Sequence, residues 1–159
     1  MQFDVKAVEN IISSSPRKNG AFNLFFKLND KIGIKLSNNK HQRDSNYKNQ
    51  ENAAKFGLGP DVYGMIDNVN YEGETYWGYF TEIVWILEDS NDIPREFWNL
   101  IHPTFREDCT NLKSDLMHHT NFNFSDNHYA NMGVKDGKLV CIDFDNTSSC
   151  EYIGYPEAL

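Results

Sequence analysis

The first apolar positions of the chain recur three or four residues apart, which is the spacing of one helix face. These positions are Val5, Val8, Ile11 and Ile12. Pro16 follows them and would end the helix. The pattern then changes, because apolar and aromatic residues fill 21–28 and 32–36 around a polar turn at 29–30. Two such runs joined by a short turn predict a β-hairpin.

Residues 44–56 contain no Gly or Pro and predict a second helix, which Gly57 would end. Two strand-like runs follow, Val62–Val69 and Tyr76–Leu87, on either side of a turn at 71–74. The second run is almost wholly apolar or aromatic, which is typical of a buried strand. This part of the chain therefore predicts a sheet accompanied by one main helix.

Helical spacing returns between residues 94 and 119, and it produces one apolar stripe. The stripe consists of Phe105, Cys109, Leu112 and Leu116. A second predicted hairpin joins 132–134 to 139–144 around Asp136-Gly137. Strands and helices are thus segregated along the chain and do not alternate regularly, which predicts the α+β class.

Composition limits the kinds of partner. The chain has 159 residues, enough for one domain or for two small lobes that share a cleft. Hydrophobic residues make up 40% of it, which is sufficient for a core. The formal net charge is −8 and no basic face stands out, so we expect no nucleic-acid partner.

Cysteine usage and hydropathy indicate the compartment. The three cysteines, Cys109, Cys141 and Cys150, lack metal-ribbon spacing and are too few and odd in number for a disulfide framework. We find no signal-peptide pattern at the N-terminus and no apolar stretch that approaches the roughly 20 residues of a membrane span. We therefore expect a cytoplasmic protein with no membrane partner.

Three oxygen-bearing side chains near the second hairpin carry the most chemical information. Asp126 and Asn131 lie five positions apart in one loop, and Asp143 follows Asn131 after the hairpin. Because a hairpin brings its two ends together, Asn131 and Asp143 should lie close to each other. Carboxylate and amide oxygens suit Mg²⁺, which also takes phosphate oxygens and water. Asp143 stands in an apolar run, where a buried carboxylate requires a partner or a metal.

This segment resembles the catalytic loop D-x-x-x-x-N and the metal-binding D-F-G of the protein-kinase-like superfamily. The form seen here, Asp126-Asn-His128-Tyr-Ala-Asn131, is closer to that of aminoglycoside phosphotransferases and other small-molecule kinases. The resemblance implies ATP and Mg²⁺ as ligands. Asp126 would orient or deprotonate an acceptor hydroxyl, and Asn131 and Asp143 would hold the metal.

Upstream residues extend the resemblance in the expected order. Gly33-Ile-Lys35 resembles the strand whose lysine binds the α- and β-phosphates, and Glu51 matches the acidic residue that orients this lysine. The run Tyr79–Val84 resembles the hinge, so adenine would bind at Glu82 and Val84. The implied fold is a five-stranded antiparallel N-lobe with one main helix over 1–86, followed by a truncated helical C-lobe over 87–159, with ATP between the lobes.

The residues also permit plainer interpretations, and the motifs depart from the family pattern. Lys35 and Glu51 would each suit a solvated surface, and Asp126 and Asn131 would each suit a turn or a helix cap. The glycine-rich loop keeps only Gly20, and few residues follow Asp145, so the usual substrate-binding helices lack room.

Two functions therefore remain open. The first is a phosphotransferase that acts on a hydroxyl of a small molecule or a protein. The second is a pseudokinase, which binds nucleotide or a partner without turnover. A homodimer would supply walls that the short C-lobe lacks.

Overall fold

The computed structural model describes residues 3–15, 23–124 and 131–145. The chain divides into two compact units. Unit 1 comprises Met1–Tyr47 and Asp61–Ile83, and unit 2 comprises Lys48–Pro60 and Val84–Leu159. Both units contain strands and helices, and all their strand pairs are antiparallel, which confirms the predicted α+β class.

Unit 1 is built on a four-stranded sheet with the order β1-β2-β4-β3. Its strands are β1 (Asn23–Lys27), β2 (Ile32–Ser37), β3 (Val62–Tyr71) and β4 (Glu74–Glu82). Helix α1 (Val5–Ile12) begins at Asp4, whose Oδ1 accepts from the Ala7 amide at 2.8 Å. Its residues Val8 and Ile12 are buried in the same apolar cluster as the inner faces of β1 and β2. The helical spacing at the start of the chain and the first hairpin therefore form as predicted.

The prediction of a five-stranded sheet is wrong for the described residues, because the run Tyr76–Leu87 is not one strand. Strand β4 ends at Glu82, and the Ile83 amide donates to the Lys31 carbonyl at 3.0 Å. The chain then forms β5 (Trp85–Ile86), which pairs with a strand of the other sheet. One largely apolar run thus supplies strands to two sheets, of four and three strands.

A buried cation fixes the first half of helix α2 (Lys40–Ala54) to the unit 1 sheet. Arg43 is 2% exposed, and its Nη1 donates to the carbonyls of Ile66 and Gly78, each at 2.9 Å. These two residues are paired across β3 and β4 beside a register shift. Asp67 accepts from Nη2 at 2.7 Å. The guanidinium thereby ties α2 to two strand carbonyls and one carboxylate beside this irregularity.

Unit 2 packs its helices against a three-stranded sheet with the order β5-β6-β7. Strands β6 and β7 span Met132–Lys135 and Lys138–Cys141, and helices α3 and α4 span Arg95–Ile101 and Phe105–Thr120. The described part of unit 2 also contains two 3₁₀ helices, Leu87–Asp92 and His102–Thr104, and the end of α2. The predicted apolar stripe of α4 is buried in the core. No helix among the described residues is long and apolar enough to cross a membrane.

Candidate functional site

The β6–β7 hairpin brings the predicted metal-binding residues of unit 2 together. Asp136 and Gly137 adopt φ values of 52° and 75°, which form the tight turn. At the open end, the Ile142 amide donates to the Asn131 carbonyl at 3.0 Å. Asp143 follows directly, so the hairpin places it one residue from the pairing position of Asn131. The Asn131 residue is 8% exposed, and Asp143 is half-buried.

Three polar contacts hold the backbone around Asp143. The Asp145 amide donates to Asp143 Oδ1 at 3.0 Å. The Cys141 thiol donates to the Asp143 carbonyl at 3.1 Å. Asn49 on α2 donates through Nδ2 to the Phe144 carbonyl at 3.3 Å. The Phe144 side chain is 1% exposed and lies in the unit 2 core, with its ring centroid 5.3 Å from that of Phe122.

Three successive carbonyls in the loop after α2 accept hydrogen bonds, two from the same hairpin and one from α2. The Leu58 carbonyl accepts from the Cys141 amide at 3.0 Å, and the Gly59 carbonyl accepts from Lys135 Nζ at 3.5 Å. The Pro60 carbonyl accepts from Nε2 of Gln50, a fully buried residue of α2, at 3.1 Å. The end of α2, this loop and the hairpin thus form one hydrogen-bonded assembly within unit 2.

Lys35 lies on an inner strand of the unit 1 sheet. It is paired with Phe25 on β1 and with Tyr79 on β4. The Lys35 ammonium stands 5.7 Å from the centroid of the Tyr79 ring, within the range of a cation–π interaction. Tyr47 meets the same ring edge-on at 5.3 Å between centroids. The lysine is half-buried, and its ammonium lies over an aromatic ring.

The predicted hinge uses two of its amides inside unit 1. Glu82 donates its amide to the Asp61 carbonyl at 2.8 Å, and its Oε1 accepts from the Asp61 amide at 3.0 Å. Together with the Ile83 amide bound to Lys31, these contacts occupy the donors at 82 and 83. Val84 belongs to unit 2, where its side chain lies next to Gly133 on β6. Adenine binding at Glu82 and Val84 stays a prediction.

The remaining predicted site residues lie either in a different unit from their expected partner or outside the described residues. Glu51 lies on α2 in unit 2 and is half-buried, whereas Lys35 lies in unit 1, and their pairing stays a prediction. Asp126 and His128 lie outside the described residues.

Sequence reasoning missed Asn49, Gln50 and Tyr79. A polar helix offers several amides, and the sequence alone does not single out these two. The sequence places Tyr79 in the hinge run and indicates no role for it towards Lys35.

The chemistry of the hairpin end fits a hard cation. One carboxylate and one amide oxygen are an incomplete set that phosphate oxygens and water complete at Mg²⁺ sites. Among residues 3–15, 23–124 and 131–145, no three His, Cys, Asp or Glu side chains gather into a metal-binding group. Two open concavities of unit 2, of about 490 and 850 Å³, are lined by other residues.

Comparison of the chain with models of protein families and with curated proteins finds no match.

Proposed function

We propose that the protein is an ATP- and Mg²⁺-dependent phosphotransferase of the protein-kinase-like type, acting on a hydroxyl of a small molecule or a protein. The observation that carries the proposal is the 3.0 Å hydrogen bond between Ile142 and Asn131. It joins the two ends of a hairpin. The motif Asp126–Asn131 precedes this hairpin, and Asp143-Phe144-Asp145, which corresponds to D-F-G, follows it. The spacing of the two motifs therefore corresponds to spatial proximity, as a shared metal site requires.

In this proposal Asn131 and Asp143 hold the metal ion. Mg²⁺ bound there would neutralise phosphate charge and orient the nucleotide. The hydrogen bonds around Asp143 support the assignment, because a metal-binding carboxylate works best when neighbouring donors fix its orientation. The buried Phe144 adds an apolar anchor directly after it.

Lys35 is proposed to bind the α- and β-phosphates. Its position on an inner strand supports this role, since both neighbouring strands restrict its backbone. Glu51 is proposed as its acidic partner, and Glu82 and Val84 as the adenine contacts. Asp126 is proposed to orient or deprotonate the acceptor hydroxyl, and positioning and charge neutralisation then need no covalent intermediate.

The first experiment measures nucleotide binding by calorimetry with and without Mg²⁺. Wild type should bind ATP more tightly with the metal present, and Asp143→Asn should lose most of that gain while remaining folded. The matched control is Asp136→Asn, which removes the same charge from the same hairpin. Asn tolerates the positive φ of position 136. Equal Mg²⁺ dependence in the two variants would contradict the assignment of Asp143.

The second experiment separates transfer from binding. Wild type and Asp126→Asn are incubated with labelled ATP and with sugars, aminoglycosides and candidate proteins. Loss of transfer with retained nucleotide affinity would support a catalytic Asp126. A wild type that binds Mg-ATP but transfers phosphate to no acceptor, itself and water included, would replace the phosphotransferase proposal with the pseudokinase.

A further inference from the structure

The peptide group between Phe144 and Asp145 is held at both of its polar ends. Its carbonyl accepts from Asn49 Nδ2 at 3.3 Å, and its N–H donates to Asp143 Oδ1 at 3.0 Å. A peptide group is planar, and its carbonyl and N–H point in opposite directions. The direction that Asn49 imposes on the carbonyl therefore also sets the direction of the N–H towards the Asp143 carboxylate.

We propose that Asn49 is a positioning residue, which orients the Asp143 carboxylate for metal binding through this single peptide group. The inference rests on the proposed function and adds to it a residue that the motifs do not contain. Asn49 and Phe144 are 95 positions apart in sequence, so no local pattern links them. Through Asn49, helix α2 becomes part of the support of the metal site.

Other contacts fix the segment on either side of this peptide group. The Phe144 ring is buried, and an added Cβ at Gly59 would lie 2.8 Å from its Cζ atom. On the other side of Asp143, the Cys141 thiol binds the Asp143 carbonyl. With the ring and the preceding carbonyl fixed, the Phe144–Asp145 peptide is the remaining hinge of this segment. Removal of the Asn49 amide would take away a hydrogen bond that restrains the rotation of this peptide group.

The test replaces Asn49 with Leu, which has nearly the same size and no donor, and with Ala as a second variant that favours the helix. Asn52→Leu and Asn52→Ala are the matched controls, because Asn52 lies on the same helix three residues later. Asn49→Gln retains an amide donor and serves as the conservative variant. Thermal unfolding establishes which variants are folded.

Two quantities are measured on each folded variant. The first is the exchange rate of the Asp145 amide in the metal-free protein, by NMR. The second is the Mg²⁺ concentration that gives half-maximal gain in ATP affinity. For Asn49→Leu and Asn49→Ala we expect faster exchange of the Asp145 amide. We also expect the Mg²⁺ concentration for half-maximal gain to rise about 10-fold, the usual scale for residues that support a metal ligand. Asn49→Gln should recover part of both losses, and the Asn52 variants should match wild type.

The outcomes separate this inference from the proposed function. If wild type binds ATP with no Mg²⁺ dependence, the metal site is wrong and the role of Asn49 falls with it. If wild type shows the dependence but the Asn49 variants match it in either measurement, only the positioning role is overturned. Equal losses in the Asn49 and Asn52 variants would mean that the effect comes from the helix as a whole. That result would also overturn the positioning role of Asn49.

Discussion

Arg43 Nη2 lies 2.7 Å from Asp67 Oδ1, and the same guanidinium binds two backbone carbonyls at a register shift of β3. Asp67 is 46% exposed, whereas the Arg43 side chain is 3% exposed. The arginine therefore carries most of the desolvation of this pair, and its guanidinium also donates to the carbonyls of Ile66 and Gly78. Arg43→Met would remove both of these hydrogen bonds and the 2.7 Å contact with Asp67.

We expect Arg43→Met to lower the free energy of unfolding by about 3 kcal/mol, because a hydrogen bond that involves a charged group contributes roughly 1.5–3 kcal/mol and the variant loses several. The control is Lys40→Met, which removes the other cation near Asp67. Lys40 is 55% exposed and its Nζ is 3.9 Å from Asp67 Oδ2, so its loss should cost less than about 1 kcal/mol. Urea unfolding measures both variants. Similar losses of unfolding free energy in the two variants would mean that the positive charge near Asp67, and not the bonds to the carbonyls, stabilises the fold.

The thiol of Cys109 should be chemically silent in the native protein. Burial, followed by the nearby Asp108 carboxylate, raises its pKa from 9.0 to about 12. The native thiol is therefore protonated at pH 8, and thiolate is the reactive form. Peptide-resolved mass spectrometry after alkylation at pH 8 should find Cys109 unmodified in the native state and modified in urea. Rapid native modification would contradict its burial.

The same shift predicts a pH dependence of stability. A pKa raised on folding means that the native state holds its proton more strongly than the unfolded state does. The associated stabilisation is complete below pH 9 and is lost as pH rises from about 9 towards 12. Other groups titrate in this range, so the measurement is the difference between wild type and Cys109→Ala. That difference should shrink as pH increases through the window, and a constant difference would contradict the shift.

The sequence specifies the local elements of the fold better than their partners. Hydrophobic spacing correctly predicts α1 and both predicted hairpins, because side-chain periodicity and turn residues act over short distances. It places the start of α2 at residue 44, although the helix begins four residues earlier at Lys40, where Asn39 Oδ1 accepts from the Gln42 amide at 3.0 Å. No apolar stripe marks the helix in this polar segment, but Asn is a preferred N-cap residue and Asn39 therefore indicates where the helix begins.

The hydrophobic pattern does not show which strands pair with each other or which distant segments come into contact. The run Tyr76–Leu87 is apolar or aromatic except at Thr81 and Glu82, and this short polar interruption does not indicate that Trp85 pairs with Val134 in a second sheet. For the candidate site, hairpin geometry alone predicts the proximity of Asn131 and Asp143. The contribution of Asn49 depends on the packing of α2 against a segment 95 residues away, which local reasoning does not contain.

Gly59 should be intolerant of even a methyl group. A Cβ there would lie 2.8 Å from Phe144 Cζ, and the buried ring has little space into which to move. Gly59→Ala should lower the free energy of unfolding by about 1–3 kcal/mol, as overpacking does, and should weaken Mg²⁺-dependent ATP binding by moving the Asp143 segment.

Gly57→Ala separates this clash from backbone strain. Its φ is 71°, but an added Cβ has no atom within 4 Å. NMR resonances of the Phe144 ring should shift in Gly59→Ala and stay in place in Gly57→Ala. Unchanged ring resonances in both variants would show that the segment tolerates the methyl group.

Replacement of Lys35 should affect nucleotide binding far more than folding. The ammonium lies over the Tyr79 ring, an interaction of roughly 0.5–2 kcal/mol, whereas a charge-assisted bond to phosphate contributes roughly 1.5–3 kcal/mol. Lys35→Met should therefore weaken Mg-ATP binding by about 10-fold or more in calorimetry. Lys27→Met, at an exposed position of β1, removes the same charge and should leave affinity within about 2-fold, since an exposed charge contributes little to a specific contact.

Two changes at Tyr79 show whether the ring directs the lysine. Tyr79→Phe keeps the aromatic face and should bind Mg-ATP as wild type does. Tyr79→Leu removes the face and should weaken binding about 3-fold, which corresponds to the lower part of the cation–π range. Because the Leu variant retains Lys35, its loss should be smaller than that of Lys35→Met. If Lys35→Met and Lys27→Met bind alike, the phosphate-binding role of Lys35 is wrong, whatever the effect of the Tyr79 variants.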